Sequence, residues 1–276
     1  MTGNPTLAYL YRRFLARRLL EGLPAGRFLE IGVGSGDFYE ELAWRGFSGF
    51  CLDLNSDLVR EHQSSLTSQT NQIEFRTANF FSIKDQFNLV VAFEVLEHYE
   101  EDRLCLEKWM SLLKPEGRLI FSVPAHMRQW TVNDTRAGHA RRYERPELMK
   151  KLLVSGFLIE NFWCYGFPVL NFTYPLSSGL SRAEIRPADA RGGPNPDLVA
   201  LSAHASSGKH GGQASLSSDP LMTDFQRTSQ SGTRRFPVLS KWLLHEAVWF
   251  PFLHMQRVAL NGDLGTGYIV KCRKRT

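Results

Sequence analysis

The chain is short of cysteine, of one-sided charge and of uninterrupted apolar runs, and each shortage excludes something. Its 276 residues carry four cysteines, Cys51, Cys105, Cys164 and Cys272, far apart and without a CxxC or Cys/His ligand spacing. That excludes a zinc-finger framework and a disulfide scaffold and points to reduced thiols. The formal charge is +5, and the basic pairs Arg12-Arg13, Arg17-Arg18, Arg141-Arg142 and Arg234-Arg235 are scattered and read as solvated faces. Nucleic acid would need a concentrated basic stripe, so no nucleic-acid partner is expected. Arginines interrupt every apolar stretch near the N-terminus, so no signal-peptide core forms and a cytoplasmic location is expected. Residues 161–180, "NFWCYGFPVLNFTYPLSSGL", are uncharged over a bilayer-spanning length, but their two prolines, two asparagines and several hydroxyls suit core and cap better than a spanning helix.

What is present is alternation. "NPTLAYLYRRFLARRLLEGLP" predicts a helix over 5–23, with Leu7, Leu10, Tyr11, Phe14 and Leu15 at helical spacing, arginines on the other side, and Pro24 and Gly26 to end it. Strand signals follow in "RFLEIG", "FSGFCLDL", "IEFRTANF", "FNLVVAFEVL", "RLIFSVP" and "FLIENFWCYGF", the fifth preceded by a Lys-Pro-Glu-Gly turn. Helical stretches separate them: "DFYEELAWRG", "SDLVREHQSSL" opened by a Ser56 cap, "EEDRLCLEKWMSLL" and "RPELMKKLLVSGF". This rhythm predicts an α/β fold with a parallel sheet covered on both faces. It breaks at 181–235, where Ser, Gly, His, Pro and Arg dominate and a flexible insertion is expected. "FPVLSKWLLHEAVWFPFLHMQRVAL" reads as an aromatic helical cap over 236–260, kinked or divided at Pro251, and "GYIVKC" as a last strand. One domain, 1–276, is expected, with 168–262 inserted between its last two strands.

The chemistry concentrates at strand ends. In "FLEIGVGSGD" the glycines are Gly32, Gly34 and Gly36, while Asp37 stands where a dinucleotide fingerprint has its third glycine. Glu30 precedes the loop; a carboxylate there repels phosphate and suits a ligand with a cationic end. Asp53, ending the second strand in "CLDLN" beside Leu54, can accept both hydroxyls of a ribose. Asn79 ends the third strand and can take an adenine amino group through its amide oxygen, with Phe80 next to it as an apolar surface. All three strand ends lie along one edge of the sheet.

Taken together, "LEIGVGSG", Asp53, "AN" at 78–79, "FNLVVAFEVLEH" and "LLKPEGRLIFSVP" resemble the class I S-adenosylmethionine-dependent methyltransferases, over residues 8–165 plus the last strand. The resemblance implies a doubly wound, seven-stranded, mostly parallel sheet with the last strand antiparallel. It implies S-adenosylmethionine as cofactor, with Glu30, Gly32, Gly34, Gly36, Asp53, Leu54, Asn79, Phe80, Glu94 and Arg12 as binding residues. Asn79 stands where the family usually has Asp. Tyr11, Arg12 and Arg13 resemble the aromatic–basic start that folds over the cofactor in relatives, where an arginine meets the methionine carboxylate.

On the acceptor side, His98 follows the fourth strand where the family places its acceptor. "SVPAHMRQWTVNDTRAGHARRYERPEL" resembles the W…D…GH-x-RRY pattern of a bacterial branch with members in glycan, lipid and secondary-metabolite pathways. His98, His139 and Tyr143 are the catalytic candidates, and His126, Trp130 and Arg142 the substrate-binding ones. The alternative for this stretch is a hydrogen-bonded loop whose arginines pair with Asp134 or Glu144. No [DN]PP[YFW] follows the fourth strand and no Asp…Asp-Asn set is present, so neither nucleobase amine methylation nor a metal is expected. The expected activity is methyl transfer to oxygen or nitrogen of a small-molecule or carrier-linked acceptor in a biosynthetic pathway. An NAD-dependent oxidoreductase and a non-catalytic, membrane-peripheral binding protein are the alternatives. The aromatic C-terminal segment is the expected place for membrane contact or a homodimer face.

Overall fold

The computed structural model describes residues 6–68, 70–173 and 246–275. The insertion expected to be flexible at 181–235, and the aromatic segment before 246, lie outside the described residues. In chain order the main elements are α1 (Leu7–Leu19), β1 (Arg27–Ile31), α2 (Phe38–Trp44), β2 (Ser48–Asp53), α3 (Ser56–Ser64), β3 (Ile73–Thr77), β4 (Phe87–Phe93), α4 (Asp102–Ser111), β5 (Leu113–Pro124), α5 (Val132–Arg136), α6 (Arg145–Val154), β6 (Phe157–Tyr165), α7 (Glu246–Met255) and β7 (Gly267–Lys274).

The strands form one seven-stranded sheet in the order β3-β2-β1-β4-β5-β7-β6. β1 pairs in parallel with β2 and β4, β2 with β3, and β4 with β5, while β7 runs antiparallel to both its neighbours. The order reverses at β1, and that switch point is where open α/β sheets bind ligands, outside the carboxyl ends of the strands. Strand side chains alternate between two apolar layers. Leu29, Val90, Ala92, Leu119 and Phe121 face α4 and α6, whereas Phe28, Leu89, Val91 and Ile120 face α1 and α2. Burial on both faces explains why β4 is apolar almost throughout. The Lys-Pro-Glu-Gly turn sits inside β5 as an irregularity: Phe87 pairs with Leu113, and Leu89 with Arg118.

Three local expectations change. The cap of α3 is Asn55, whose side chain accepts from the amides of Asp57 and Leu58, so Ser56 is the first helical residue. α7 is one helix from Glu246 to Met255 with Pro251 inside it, so the expected alternative of a division at Pro251 does not occur. The arginines of α1 are not a solvated face: Arg12 and Arg13 have side chains only 14% and 12% exposed and point to carboxylates at strand and loop ends. All four cysteines are buried free thiols. No helix among the described residues is long and apolar enough to cross a membrane.

Candidate cofactor and acceptor site

The loop from Ile31 to Asp37 turns because its glycines allow it. Gly32 and Gly34 both have positive φ, and a Cβ on Gly32 would strike Val95 at 2.8 Å. Gly34 has open space where a Cβ would stand. Its amide donates to Asp53 Oδ2 at 2.8 Å and its carbonyl meets His62 Nε2 at 2.8 Å. Asp53 Oδ1 accepts from the Asn55 amide at 2.8 Å, so each carboxylate oxygen is fixed by one backbone donor and keeps a lone pair. Burial pushes the Asp53 carboxyl above its usual range, while the amides of Asn55 and Gly34 hold it back.

An open cleft is lined by Ile31, Gly32, Leu52, Asp53, Leu54, Ala78, Asn79, Phe80, Val95 and Tyr99. Its largely apolar walls, with the Asp53 carboxylate and the Tyr99 hydroxyl, suit an adenosine. Asn79 is exposed and its side-chain oxygen accepts from the Phe81 amide at 3.0 Å, capping a short turn. Phe80 is 3% exposed and stacked on Phe81, so it forms the floor of the cleft. Val95 and Tyr99 lie beyond the strand ends that sequence reasoning searched; the signal available for them was their position flanking "LEH".

Glu30 is not part of the cleft wall. It is 3% exposed, the Cys51 thiol donates to its Oε2 at 3.7 Å, and burial raises its carboxyl to about 8. A carboxyl raised by folding contributes stability that is present below its unfolded value of about 4.5 and is lost as pH rises through about 8. The wild-type chain is therefore expected to lose urea resistance between about pH 6 and about pH 9, and Glu30→Gln to remove a loss on the order of 3 kcal/mol. Parallel pH dependence in the two proteins would contradict this charge assignment.

α1 closes the other side of the loop. The Tyr9 hydroxyl donates to Asp37 Oδ1, and Arg13 Nη1 meets both oxygens of the same carboxylate at 2.8 and 3.0 Å. Arg12 Nη1 lies 3.4 Å from Glu94 Oε1, and Arg12 Nε is a buried donor without a partner. Glu94 has φ +54° and accepts from Ser122 Oγ at 2.7 Å and from Tyr165 Oη at 3.5 Å. Tyr9, Asp37, Ser122 and Tyr165 were not among the expected site residues. Asp37 carried a signal, an acid directly after the loop, whereas the others meet it or Glu94 only through the fold.

The residues expected on the acceptor side divide. His98 and His139 come together edge to face, with ring centroids 4.9 Å apart. Burial, and then His139, push His98 down to about 4. His139 Nδ1 is 3.0 Å from Asp134 Oδ1, and its Nε2 is 3.8 Å from Glu97 Oε1. Burial, then Glu94, raise the fully buried Glu97 carboxyl well above its usual range.

The other candidates are tied into the framework of the loop. Tyr143 is fully buried and donates to Asp102 Oδ2 at 3.0 Å, with burial raising its hydroxyl, which is a framework position and not that of a reacting group. Arg142 is 2% exposed and grips Asp134 with Nε and Nη2 at 2.8 and 2.9 Å, so its fork is consumed within the loop. Trp130 donates to Thr135 Oγ1 at 3.1 Å inside the same loop. His126 is 3% exposed, with Nδ1 2.9 Å from Glu144 and its ring against Tyr268.

A family model described as a methyltransferase domain matches residues 5–167. Over 138 residues the chain is 28% identical to a ubiquinone biosynthesis O-methyltransferase of Xanthomonas campestris, covering 49% of this chain and 54% of that protein. The chain spans about half the length of the curated relatives it matches. Two solved structures share the fold. An S-adenosylmethionine dependent methyltransferase from Mesorhizobium loti has a TM-score of 0.51 at 13% identity, over 95% of this chain and 98% of that one. A magnesium protoporphyrin IX methyltransferase from Synechocystis, solved with S-adenosylhomocysteine, has a TM-score of 0.50 at 23% identity, over 58% and 78%. The glycine loop, the fixed Asp53 and the orphaned Arg12 donor fit the cofactor these proteins share. The chain belongs to the S-adenosylmethionine-dependent methyltransferases of Rossmann-like fold.

Proposed function

We propose that the chain moves a methyl group from S-adenosylmethionine to a hydroxyl, or an amine, of a small-molecule or carrier-linked acceptor. The observation that carries this reading is one short segment serving both groups: Val95 and Tyr99 line the Asp53 cleft, and Glu97 and His98 between them in sequence stand with His139. When bound, the cofactor supplies a methyl already activated by its sulfonium, so the protein needs to position a nucleophile and remove its proton.

Asp53 would hold the ribose hydroxyls, Leu54, Asn79 and Phe80 would line the adenine side, and the Gly32–Gly36 backbone would hold the methionine part. The buried Arg12 Nε, which has no partner, would hold the methionine carboxylate, and Glu94, paired with Arg12 Nη1, would meet the ammonium. His139 accepts the acceptor's proton on Nε2, because Asp134 fixes the proton of the free ring on Nδ1. His98 packs against it and limits its rotation. Asp134 is a positioning residue, itself held by Arg142. The name of the curated relatives, an O-methyltransferase in ubiquinone biosynthesis, supports a hydroxyl as the acceptor.

The cap role of α7 is supported by its contacts: Trp249 and the buried Leu253 pack with the α1 layer, and His254 meets Phe14 edge-on at 5.0 Å. Its exposed Phe252 and Met255, with Val258 beyond, are the surface for membrane contact or a homodimer. Co-sedimentation with lipid vesicles separates these, since only membrane contact pellets the chain.

The test uses isotopically labelled S-adenosylmethionine and small-molecule extract from cells lacking the protein. One or more products a CH2 heavier than their precursors are expected. His139→Ala is expected to lower turnover by ~10²–10⁴-fold while S-adenosylhomocysteine affinity stays unchanged. Full turnover in that variant would remove His139 as the base.

A further inference from the structure

Where β5, β7 and β6 lie side by side, three ligand-type side chains meet that methyl transfer does not use. His126 follows β5, Cys164 stands near the end of β6, and Asp263 precedes β7. The register sets Gly267 opposite both Pro124 and Tyr165, so the three segments share one edge of the sheet. One ligand-capable atom from each residue lies within 4.8 Å of the other two. Their wide separation in the chain is why no ligand spacing showed them.

His126 is the residue that points to an ion. It is 3% exposed, and its Nε2 is a buried atom without a hydrogen-bond partner. Glu144 Oε2, 2.9 Å from Nδ1, can only accept, so the neutral ring keeps its proton on Nδ1 and a lone pair on Nε2. That lone pair faces a second acceptor, Asp263 Oδ1, at 3.8 Å. A proton on Nε2 would not join them, because the gap is too long for a hydrogen bond. Opposed acceptors in a buried gap are costly, and a cation between them removes the cost. A carboxylate on the far nitrogen is also the arrangement that orients metal-bound imidazoles.

The other two side chains are held as well. The Gly265 amide donates to Cys164 Sγ at 3.1 Å, and a donated N–H favours the thiolate. Asp263 Oδ1 accepts from Tyr268 Oη at 2.7 Å and from Arg145 Nε at 3.2 Å, which fixes the carboxylate.

We propose that His126, Cys164 and Asp263 bind one Zn²⁺, with water in the fourth position. An imidazole, a thiolate and a carboxylate together suit this ion, whereas Mg²⁺ and Ca²⁺ take oxygen ligands. Zinc bonds of about 2.0–2.3 Å set ligand atoms roughly 3.3–3.8 Å apart, so shifts of about 1 Å close the site. On binding, the Cys164 S–H bond breaks, its proton goes to solvent, and a sulfur–zinc bond forms. The ion and Arg145 then balance the charges of Cys164, Asp263 and Glu144. His126 and Cys164 are buried and the Asp263 side chain is 43% exposed, so the ion enters past Asp263.

The ion is a staple and takes no part in methyl transfer. It ties the chain after β5, which leads into the loop of Asp134, His139 and Arg142, to the antiparallel edge of the sheet. The site shares no residue with the cofactor cleft or with the Glu97–His98–His139 group, and it does not rest on the methyl-transfer reading.

The experiment is a titration of the full, chelator-stripped chain with CoCl2, read by thiolate-to-cobalt charge-transfer absorption. One equivalent is expected to bind in the micromolar range and to be displaced by ZnCl2. Cys164→Ala is expected to lose the band. His126→Gln and Asp263→Asn are expected to weaken Co²⁺ by at least ~30-fold, since even outer partners of a metal site contribute ~10–100-fold. His139→Gln is expected to keep both band and affinity. No band in the wild type, or the same band in Cys164→Ala, overturns the site. Should Cys164→Ala fail to fold by circular dichroism, Asp263→Asn on a half-exposed residue decides, and unchanged affinity there overturns the site. ZnCl2 is also expected to raise the melting temperature of the wild type and not that of His126→Gln. Calorimetry with S-adenosylhomocysteine on the same samples keeps the two readings apart. A cobalt band without cofactor binding supports the zinc site and counts against methyl transfer, and the reverse result counts against the zinc site alone.

Discussion

Asp53→Ala is expected to weaken S-adenosylhomocysteine binding by ~10²–10⁴-fold. The carboxylate is 4% exposed, and one backbone amide holds each of its oxygens, from Gly34 and from Asn55, both at 2.8 Å. Those bonds aim the remaining lone pairs at the cleft. Two ribose hydroxyls donating to a charged acceptor contribute about 1.5–3 kcal/mol each, which gives the stated range. Losing the carboxylate also frees the Gly34 amide, so the loop itself loosens. Asp53→Asn is a sharper variant, because its amide nitrogen would confront one of two backbone donors. It is expected to lose nearly as much affinity as the alanine variant despite its shape. Unchanged affinity in either variant, with an unchanged melting temperature, would remove Asp53 from the cofactor site.

Arg142→Ala is expected to destabilise the chain by about 3–5 kcal/mol, on the order of 10 °C in melting temperature. Its guanidinium joins both oxygens of Asp134 to the Ala125 carbonyl at 3.1 Å, and its side chain and that of Asp134 are 1% and 0% exposed. Removing it leaves a buried carboxylate facing Thr131 and His139 alone. Arg142→Lys is not expected to rescue, since an ammonium cannot span the fork. Burial opposes ionisation of Asp134, but His139 and Arg142 outweigh it and hold the carboxyl well below its ordinary value. A depressed folded value contributes stability that is present above the unfolded carboxylate range near 4 and is lost as pH falls further. The wild-type advantage over Arg142→Ala is thus expected to shrink in acid. A urea-denaturation difference below about 1 kcal/mol near pH 7 would show that the pair is not structural.

Much of the fold was legible in the residues. Runs such as "FNLVVAF" are apolar on both faces of the strand, and the structure fills both sides of β4 accordingly. Gly32, Gly34 and Asp53 were legible for a related reason: each marks a strand end where backbone geometry or a fixed acid is required locally. Arg142 was not, because "GHARRYE" looks the same whether its second arginine meets a substrate or an acid eight residues earlier. Only the closure of the loop against β5 decides it, through Ala125 pairing with Tyr143. Arg12 and Arg13 looked solvated because helical spacing shows where apolar residues lie and not which acids face the helix. Here Glu94 and Asp37, far off in sequence, turn them inward. The α3 cap moved by one residue because Asn55 and Ser56 are both good caps, and only the backbone chooses. The same limit hid Glu97, an ordinary acid in sequence that becomes an orphaned carboxyl once β4 is buried.

The central claim is that the cleft at the ends of β1, β2 and β3 takes a sulfonium nucleoside and not a dinucleotide. Isothermal titration of the full chain with S-adenosylmethionine, S-adenosylhomocysteine and NAD tests it most directly. The account predicts one site per chain with micromolar affinity for the first two, competition between them, and no heat from NAD. Saturable NAD binding with no response to S-adenosylhomocysteine would contradict it.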